Sequence, residues 1–319
     1  MKSGIYIVAN DLVTNQTIAL LNSIRLYDTE IPVILIPYDE KYHDLLRVIS
    51  NQYNVQLYED LDFIQRLSAN LQEIFGPKFF ARPNQFRKQA CWFGPFERFL
   101  YIDTDVIVFE KISDHLSYLQ DYDFIYCDYQ HRGGIKNIFT DKISREGVFT
   151  ETELLDVFNC GFWGSKRHLL SESDLYQTFA ECATHAEYFD FSQKTSDQPI
   201  INYLILKHIT NRFNIVRRPG GAPGSWAGSS HFQVTVDKNL FDPTVNQTLQ
   251  YLHWAGIRIM PGCPYWEVWK HYRYLHDLNP PLDRDLMPKQ AQNYWHIGKR
   301  QLKSLLKSFP SVVKSRQVT

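Results

Sequence analysis

The chain has 319 residues, 34 Lys and Arg against 35 Asp and Glu, and a formal net charge of −1. That length holds one large domain or two small ones, and a charge near zero leaves no global field to draw in nucleic acid. Hydrophobic residues at 44% and charged residues at 22% are ordinary for a globular protein, whereas aromatics at 15% are high, a surplus that serves aromatic-lined clefts and large cores alike.

Residues 5–9 form a short apolar run, read as a strand that Asn10-Asp11 ends. Residues 14–27 read as a helix, with Ile18, Leu21, Ile24 or Arg25, and Leu26 on one face. A second strand over 31–37 is closed by Tyr38-Asp39-Glu40, a second helix covers 42–52, and a third strand covers 55–58. Strands alternating with helices predict a mainly parallel sheet with βαβ crossovers. Ligands on such sheets bind outside the carboxyl ends of the strands, so Asn10-Asp11, Tyr38-Asp39 and Asp103-Thr104-Asp105 are expected to share one rim.

Residues 86–92 read as a helix leading into Phe99-Leu100-Tyr101-Ile102, then Asp103-Thr104-Asp105, then Val106-Ile107-Val108-Phe109. On an extended chain, side chains at i and i+2 share a face, so the two carboxylates converge. Mg²⁺ or Mn²⁺ between them would relieve their repulsion and bridge phosphate oxygens; the same triplet also reads as a polar turn. Further on, 123–128 reads as a strand, and 157–164 as an apolar strand interrupted within Phe158-Asn159-Cys160-Gly161-Phe162-Trp163. Ser196-Asp197-Gln198-Pro199 opens a helix, with proline in its first turn. Residues 217–230 form a long loop containing Gly220, Gly221, Gly224, Trp226 and Gly228. Trp226 either stacks on a ligand or anchors that loop, and Tyr265, Trp266, Trp269 and Tyr272 either line a cleft or pack as a core face.

The character changes beyond residue 280. The segment 299–316 carries six basic residues and no acidic one, interleaved with Leu302, Leu305, Leu306 and Phe309. This pattern suits peripheral contact with an anionic membrane surface as well as a solvated terminus. Five cysteines, at 91, 127, 160, 182 and 263, contain no Cys-x-x-Cys pair, which argues against a thiolate zinc site. Their odd number and the lack of a signal pattern lead us to expect a reducing cytoplasm, and no stretch is long enough to span a bilayer.

Taken in order, these segments resemble the GT-A nucleotide-sugar glycosyltransferases, most of all the retaining family 8 that includes glycogenin and bacterial galactosyltransferases. Five points carry the resemblance across about residues 4–270: Val8-Ala9-Asn10-Asp11; Lys88 and Trp92 leading into the Asp103-Thr104-Asp105 strand; Phe158-Asn159-Cys160-Gly161; Asp197-Gln198 followed by Ile201-Asn202; and Leu252-His253-Trp254-Ala255-Gly256. The resemblance implies an α/β fold of GT-A type, with a mainly parallel, Rossmann-like central sheet flanked by helices. It implies a catalytic domain over 1–279 and a C-terminal extension over 280–319 with the basic amphipathic tail.

It also implies a role for each position. Ala9, Asn10 and Asp11 would hold the uracil and ribose of the donor, and Lys88 its phosphates or sugar. Asp103, Thr104 and Asp105 would carry the metal-binding turn, with Asp103, Asp105 and His253 as metal ligands. Two carboxylates and an imidazole favour Mn²⁺, with Mg²⁺ as the alternative. Asn159 and Gly161 would lie beside the donor sugar, and Asp197 and Gln198 near the reacting carbon; Asp197 also reads as a helix N-cap. Gly256 belongs to the His-x-x-Gly turn. Family members follow that turn with Lys-Pro-Trp to grip the phosphates, whereas this chain has Ile257-Arg258-Ile259, and Arg258 is the substitute expected.

The activity implied is metal-dependent transfer of a sugar from a nucleotide-diphosphate sugar to a saccharide, lipid or other hydroxyl acceptor, with retention. Two rivals are a nucleotidyltransferase and a catalytically silent nucleotide-sugar or carbohydrate-binding protein. The first normally carries a glycine-rich phosphate loop after the first strand, and Asn10-Asp11-Leu12-Val13-Thr14 has no glycine.

Overall fold

The computed structural model describes residues 2–76, 82–127, 135, 137–191, 197–217 and 225–287. In chain order it contains β1 (Ser3–Ala9), α1 (Thr14–Tyr27), β2 (Val33–Pro37), α2 (His43–Tyr53), β3 (Val55–Leu57) and α3 (Leu61–Phe75). A 3-10 segment (Pro83–Phe93) leads to β4 (Arg98–Ile102), β5 (Val106–Val108) and β6 (Phe124–Tyr126). Short helices α4 (Asp141–Arg145) and α5 (Glu151–Leu154) precede β7 (Phe162–Lys166), α6 (Glu172–Thr184), α7 (Gln198–His208) and β8 (Arg212–Asn214). Then come β9 (Gln233–Val234), β10 (Leu240–Asp242), β11 (Gln247–Thr248), β12 (Tyr251–His253), α8 (Trp266–Arg273) and α9 (Asp283–Leu286).

Seven strands form one sheet in the order β3-β2-β1-β4-β7-β6-β8. All its pairings are parallel except those of β7, which runs antiparallel to both β4 and β6. This is the mainly parallel α/β architecture that the strand–helix alternation predicts. Such sheets are covered on both sides, so their strands are apolar throughout rather than alternating. Alternate residues of β1 therefore enter different cores. Tyr6 packs with Trp92, Phe99 and Trp163 beneath α3, α6 and α7, while Ile5 and Ile7 pack with Leu20, Leu21 and Leu45 beneath α1 and α2. Each such side chain fully buried contributes about 1.5–3 kcal/mol.

A third apolar cluster joins Phe109, Leu252, Trp254, Trp266, Trp269 and Tyr272, with Leu286 against its edge. The aromatic residues of α8 are thus core, and Tyr265 packs against them. Trp226 anchors its loop, donating from Nε1 to the Ala255 carbonyl at 3.1 Å.

Several elements differ from the sequence-based expectation, helix α6 (Glu172–Thr184) among those it did not include. The helix over 86–92 is instead the 3-10 segment; every residue from Phe86 to Trp92 is buried, which leaves no solvent face for an amphipathic helix. Helix α3 is additional, and its start is marked by Asp60, which caps the Phe63 amide at 2.8 Å. The strand over 157–164 begins only at Phe162, because Asn202 Oδ1 takes the Phe158 amide at 2.8 Å and its Nδ2 takes the Phe158 carbonyl at 2.9 Å. Asp128, Ser196, Gly220, Gly221, Gly224 and the basic segment 299–316 lie outside the described residues. Among the described residues no helix is long and apolar enough to cross a membrane.

Candidate active site at the sheet rim

The carboxyl ends of β1, β2 and β4 meet at one rim, as parallel pairing requires. Asn10 follows β1 and ties two of these ends together: its Nδ2 donates to Asp39 at 2.8 Å and its Oδ1 accepts from the Leu12 amide at 3.1 Å. Asp11 is spent on structure, accepting the Leu45 amide in the first turn of α2 at 2.8 Å. Leu12, next along the chain, is 85% exposed.

Asp103 and Asp105 occupy the gap between β4 and β5, and their side chains remain 30% and 28% exposed. The backbone holds this turn from both sides. Asp103 donates its amide to the Gly161 carbonyl at 2.8 Å, and the Asp105 carbonyl accepts the Trp254 amide at 3.0 Å. The antiparallel pair β12–β5 sets His253 opposite Val106. That register carries His253 Nε2 to 3.0 Å from Asp105 Oδ1 and 3.9 Å from Asp103 Oδ2. One ligand atom from each of the three residues lies within 4.8 Å of the others.

The surroundings fit a cation held by these three. A Cβ built on Gly161 would meet His253 Cε1 at 2.2 Å and Asp103 Oδ2 at 2.9 Å, so the glycine clears the space into which both side chains turn. Tyr101, two residues before Asp103 on the same strand face, donates its hydroxyl to Asp103 Oδ1. With Oδ1 also 3.4 Å from Lys88 Nζ, Oδ2 is the oxygen left to face His253. Burial alone would lower the imidazole pKa, but the two carboxylates outweigh it and the net shift is upward. The Asp105 carboxyl, which burial would raise, is held below its ordinary range by that same imidazole.

Behind the turn, Lys88 bridges two carboxylates: Nζ lies 3.0 Å from Asp197 Oδ2 as well as 3.4 Å from Asp103. It also sits 4.9 Å from the centre of the Tyr101 ring. Burial would strip its proton, yet Asp103 and Asp197 reverse that and hold the ammonium charged. Asp197 precedes α7 but makes no capping hydrogen bond; its carboxylate turns to Lys88 instead. Burial pushes its pKa up even so. Gln198 Oε1 accepts from Asn159 Nδ2 at 3.1 Å, and Asn159 Oδ1 accepts the Gly161 amide at 2.9 Å. Asn159, Gly161, Asp197 and Gln198 are thereby one connected wall.

An open cavity of about 440 Å³ adjoins the Asp103-Thr104-Asp105 turn; Lys88, Asn159, Gly161, Asp197, Gln198 and His253 lie behind that turn and are not among its lining residues. Ala9, Asn10, Asp103, Thr104 and Asp105 line the cavity, together with Tyr38, expected on the same rim, and with Leu12, Gln16, Arg82 and Gln85, to which the sequence assigns no role in the site. Gly256 and Arg258 are exposed and do not line that cavity. Tyr101 was legible in principle, because the i, i+2 rule that pairs the two aspartates applies to it equally. Arg82 carries no local signal.

No family model matches the chain, and no curated protein matches it. Solved structures do. The WbbM bifunctional glycosyltransferase superposes with a TM-score of 0.51 at 15% identity, over 89% of this chain and 51% of that one, so this chain spans about half its length. The galactosyltransferase LgtC, in complex with donor and acceptor sugar analogs, gives a TM-score of 0.57 at 14% identity over 89% of this chain and all (100%) of that one. An active-site mutant of LgtC gives 0.55 at 12% identity over 87% and 97%. At such identities the likeness is one of fold, and the fold this chain has is that of the GT-A glycosyltransferases.

Proposed function

We propose that this chain is a metal-dependent glycosyltransferase that moves a sugar from a nucleotide-diphosphate donor, with uridine as the base, to a hydroxyl acceptor with retention at the anomeric carbon. The observation that carries the reading is the convergence of Asp103, Asp105 and His253 at the edge of a cavity that the turn after β1 also lines. The LgtC structure, which holds donor and acceptor sugar analogs, supports carrying that kind of ligand to this rim. The catalytic unit is residues 1–279, as the resemblance implies.

In this reading Asp103, Asp105 and His253 would hold Mn²⁺, which when bound would supply positive charge against the departing diphosphate. The bond between the anomeric carbon and the diphosphate oxygen breaks, and its electron pair leaves with the diphosphate. The acceptor oxygen bonds to that carbon from the face just vacated and gives its proton to the departing diphosphate. Asp197 stabilises the electron-poor sugar across the wall it shares with Asn159 and Gln198, and Lys88 fixes its carboxylate. Gly161 lets the sugar approach the backbone.

Thermal unfolding with UDP, GDP, CDP and ADP, each with and without Mn²⁺, tests the donor site. A ligand that binds only the native state raises the melting temperature by mass action. A rise with UDP that requires the metal supports the reading, and no rise with any pair overturns it. Turnover or hydrolysis of the matching nucleotide-sugar then separates an enzyme from a silent binder.

A further inference from the structure

The charges around the rim leave a donor diphosphate without a sufficient counter-charge. Asp103, Asp105 and Asp197 carry three negative charges and Lys88 one positive, so the cluster stands at minus two with His253 neutral. A divalent cation brings that to zero. The diphosphate of a nucleotide-sugar then adds about two negative charges, and that of a free nucleoside diphosphate about three, which nothing in the cluster balances.

The geometry points to Arg82 as the phosphate-binding cation of this site. This inference rests on the donor-site reading above. Arg82 is the one Lys or Arg among the described residues lining the cavity that holds Asp103, Thr104 and Asp105. It is exposed, and among the described residues its guanidinium has no carboxylate partner. Lys88 is committed to Asp103 and Asp197, and Arg258 lies outside the cavity.

The backbone under Arg82 is fixed. Pro83 follows it and confines it to extended geometry, seen as φ −81° and ψ 130°. Its amide donates to Gln85 Oε1 at 3.1 Å. From there the 3-10 segment runs directly to the buried Arg87 and Lys88, so the exposed cation and the buried one are carried by one continuous stretch of chain. A guanidinium fork matches the oxygen geometry of phosphate better than an ammonium does.

Calorimetric titration of the full chain with UDP and with uridine, both in Mn²⁺, tests this without relying on turnover. R82Q is expected to weaken UDP binding roughly 10- to 100-fold and to leave uridine binding unchanged. R82K should fall between R82Q and wild type, because it keeps the charge and loses the fork. R258Q should bind like wild type. UDP binding by R82Q within twofold of wild type, with an unchanged unfolding midpoint, would overturn the assignment while leaving the donor site standing. An R258Q variant that loses UDP instead would also overturn it. Wild-type protein that binds none of the four nucleoside diphosphates would remove the donor site itself, and Arg82 with it.

Discussion

His253 occupies the space that a side chain on Gly161 would need: a Cβ there would stand 2.2 Å from His253 Cε1. The glycine is required by the imidazole, since its backbone is otherwise free to carry a side chain. Gly161→Ala is expected to push His253 away from Asp105. The overpacking costs about 1–3 kcal/mol of stability, and Mn²⁺ affinity drops roughly 10- to 100-fold, the range seen when groups that position metal ligands are altered. Calorimetric metal titration beside urea denaturation reads both. Unchanged Mn²⁺ affinity would mean that His253 is not held by this contact.

Asp105→Asn keeps size and shape while removing the charge that faces His253. The backbone contact from the Trp254 amide to the Asp105 carbonyl is untouched, so stability should stay within about 1 kcal/mol. Transfer should fall by roughly 1,000-fold or more, as when an electrostatic stabiliser of the transition state is lost. Near-normal turnover at saturating Mn²⁺ would sink the metal-site reading.

Lys88 is the counter-ion of two carboxylates, and its side chain is only 8% exposed. Lys88→Met should cost about 3–5 kcal/mol, because Asp103 and Asp197 are left facing each other uncompensated. Adding Asp197→Asn to that variant removes one of the stranded charges and should return more than half of the loss. A urea-denaturation double-mutant cycle measures the coupling. Additive effects would show that Lys88 and Asp197 do not act as a pair.

Far from the rim, His208 at the end of α7 pairs through Nε2 with Thr178 Oγ1 at 2.7 Å. Burial lowers its pKa below the ordinary histidine value, with nearby Lys207 adding to the effect and Asp174 opposing it. The unfolded chain therefore binds this proton more readily than the native one. Its contribution to stability is complete above a pH of about 6.5 and is lost as the pH falls through the native pKa. Denaturation midpoints at pH 7.5 and 5.5 should diverge more in wild type than in His208→Gln. Equal pH sensitivity in the two proteins would rule this out.

Local signals reached some of these features and missed others. The parallel half of the sheet was legible because the runs over 5–9, 31–37 and 99–102 are apolar and are separated by helical periodicity or turn residues. Asp103 and Asp105 stood out because carboxylates rarely interrupt so apolar a stretch. His253 was reached only through the family resemblance, since nothing near it in sequence says that β12 will pair with β5. Lys88 is expected at the donor's phosphates or sugar through the family resemblance, while its burial between Asp103 and Asp197 needs three segments folded together and leaves no mark in the sequence. Arg82 and Gln85 had no periodicity to mark them, because the segment from Pro83 to Phe93 is neither strand nor α-helix.

The bond between His253 and Asp105 joins residues 148 positions apart. Closing so long a loop is entropically costly and slow compared with local pairing. During synthesis the two aspartates emerge long before the histidine, so the three ligands cannot assemble until β12 has docked on β5. A cation held there should accordingly slow unfolding while leaving the refolding rate nearly unchanged, since contacts made after the folding transition state act on the unfolding limb.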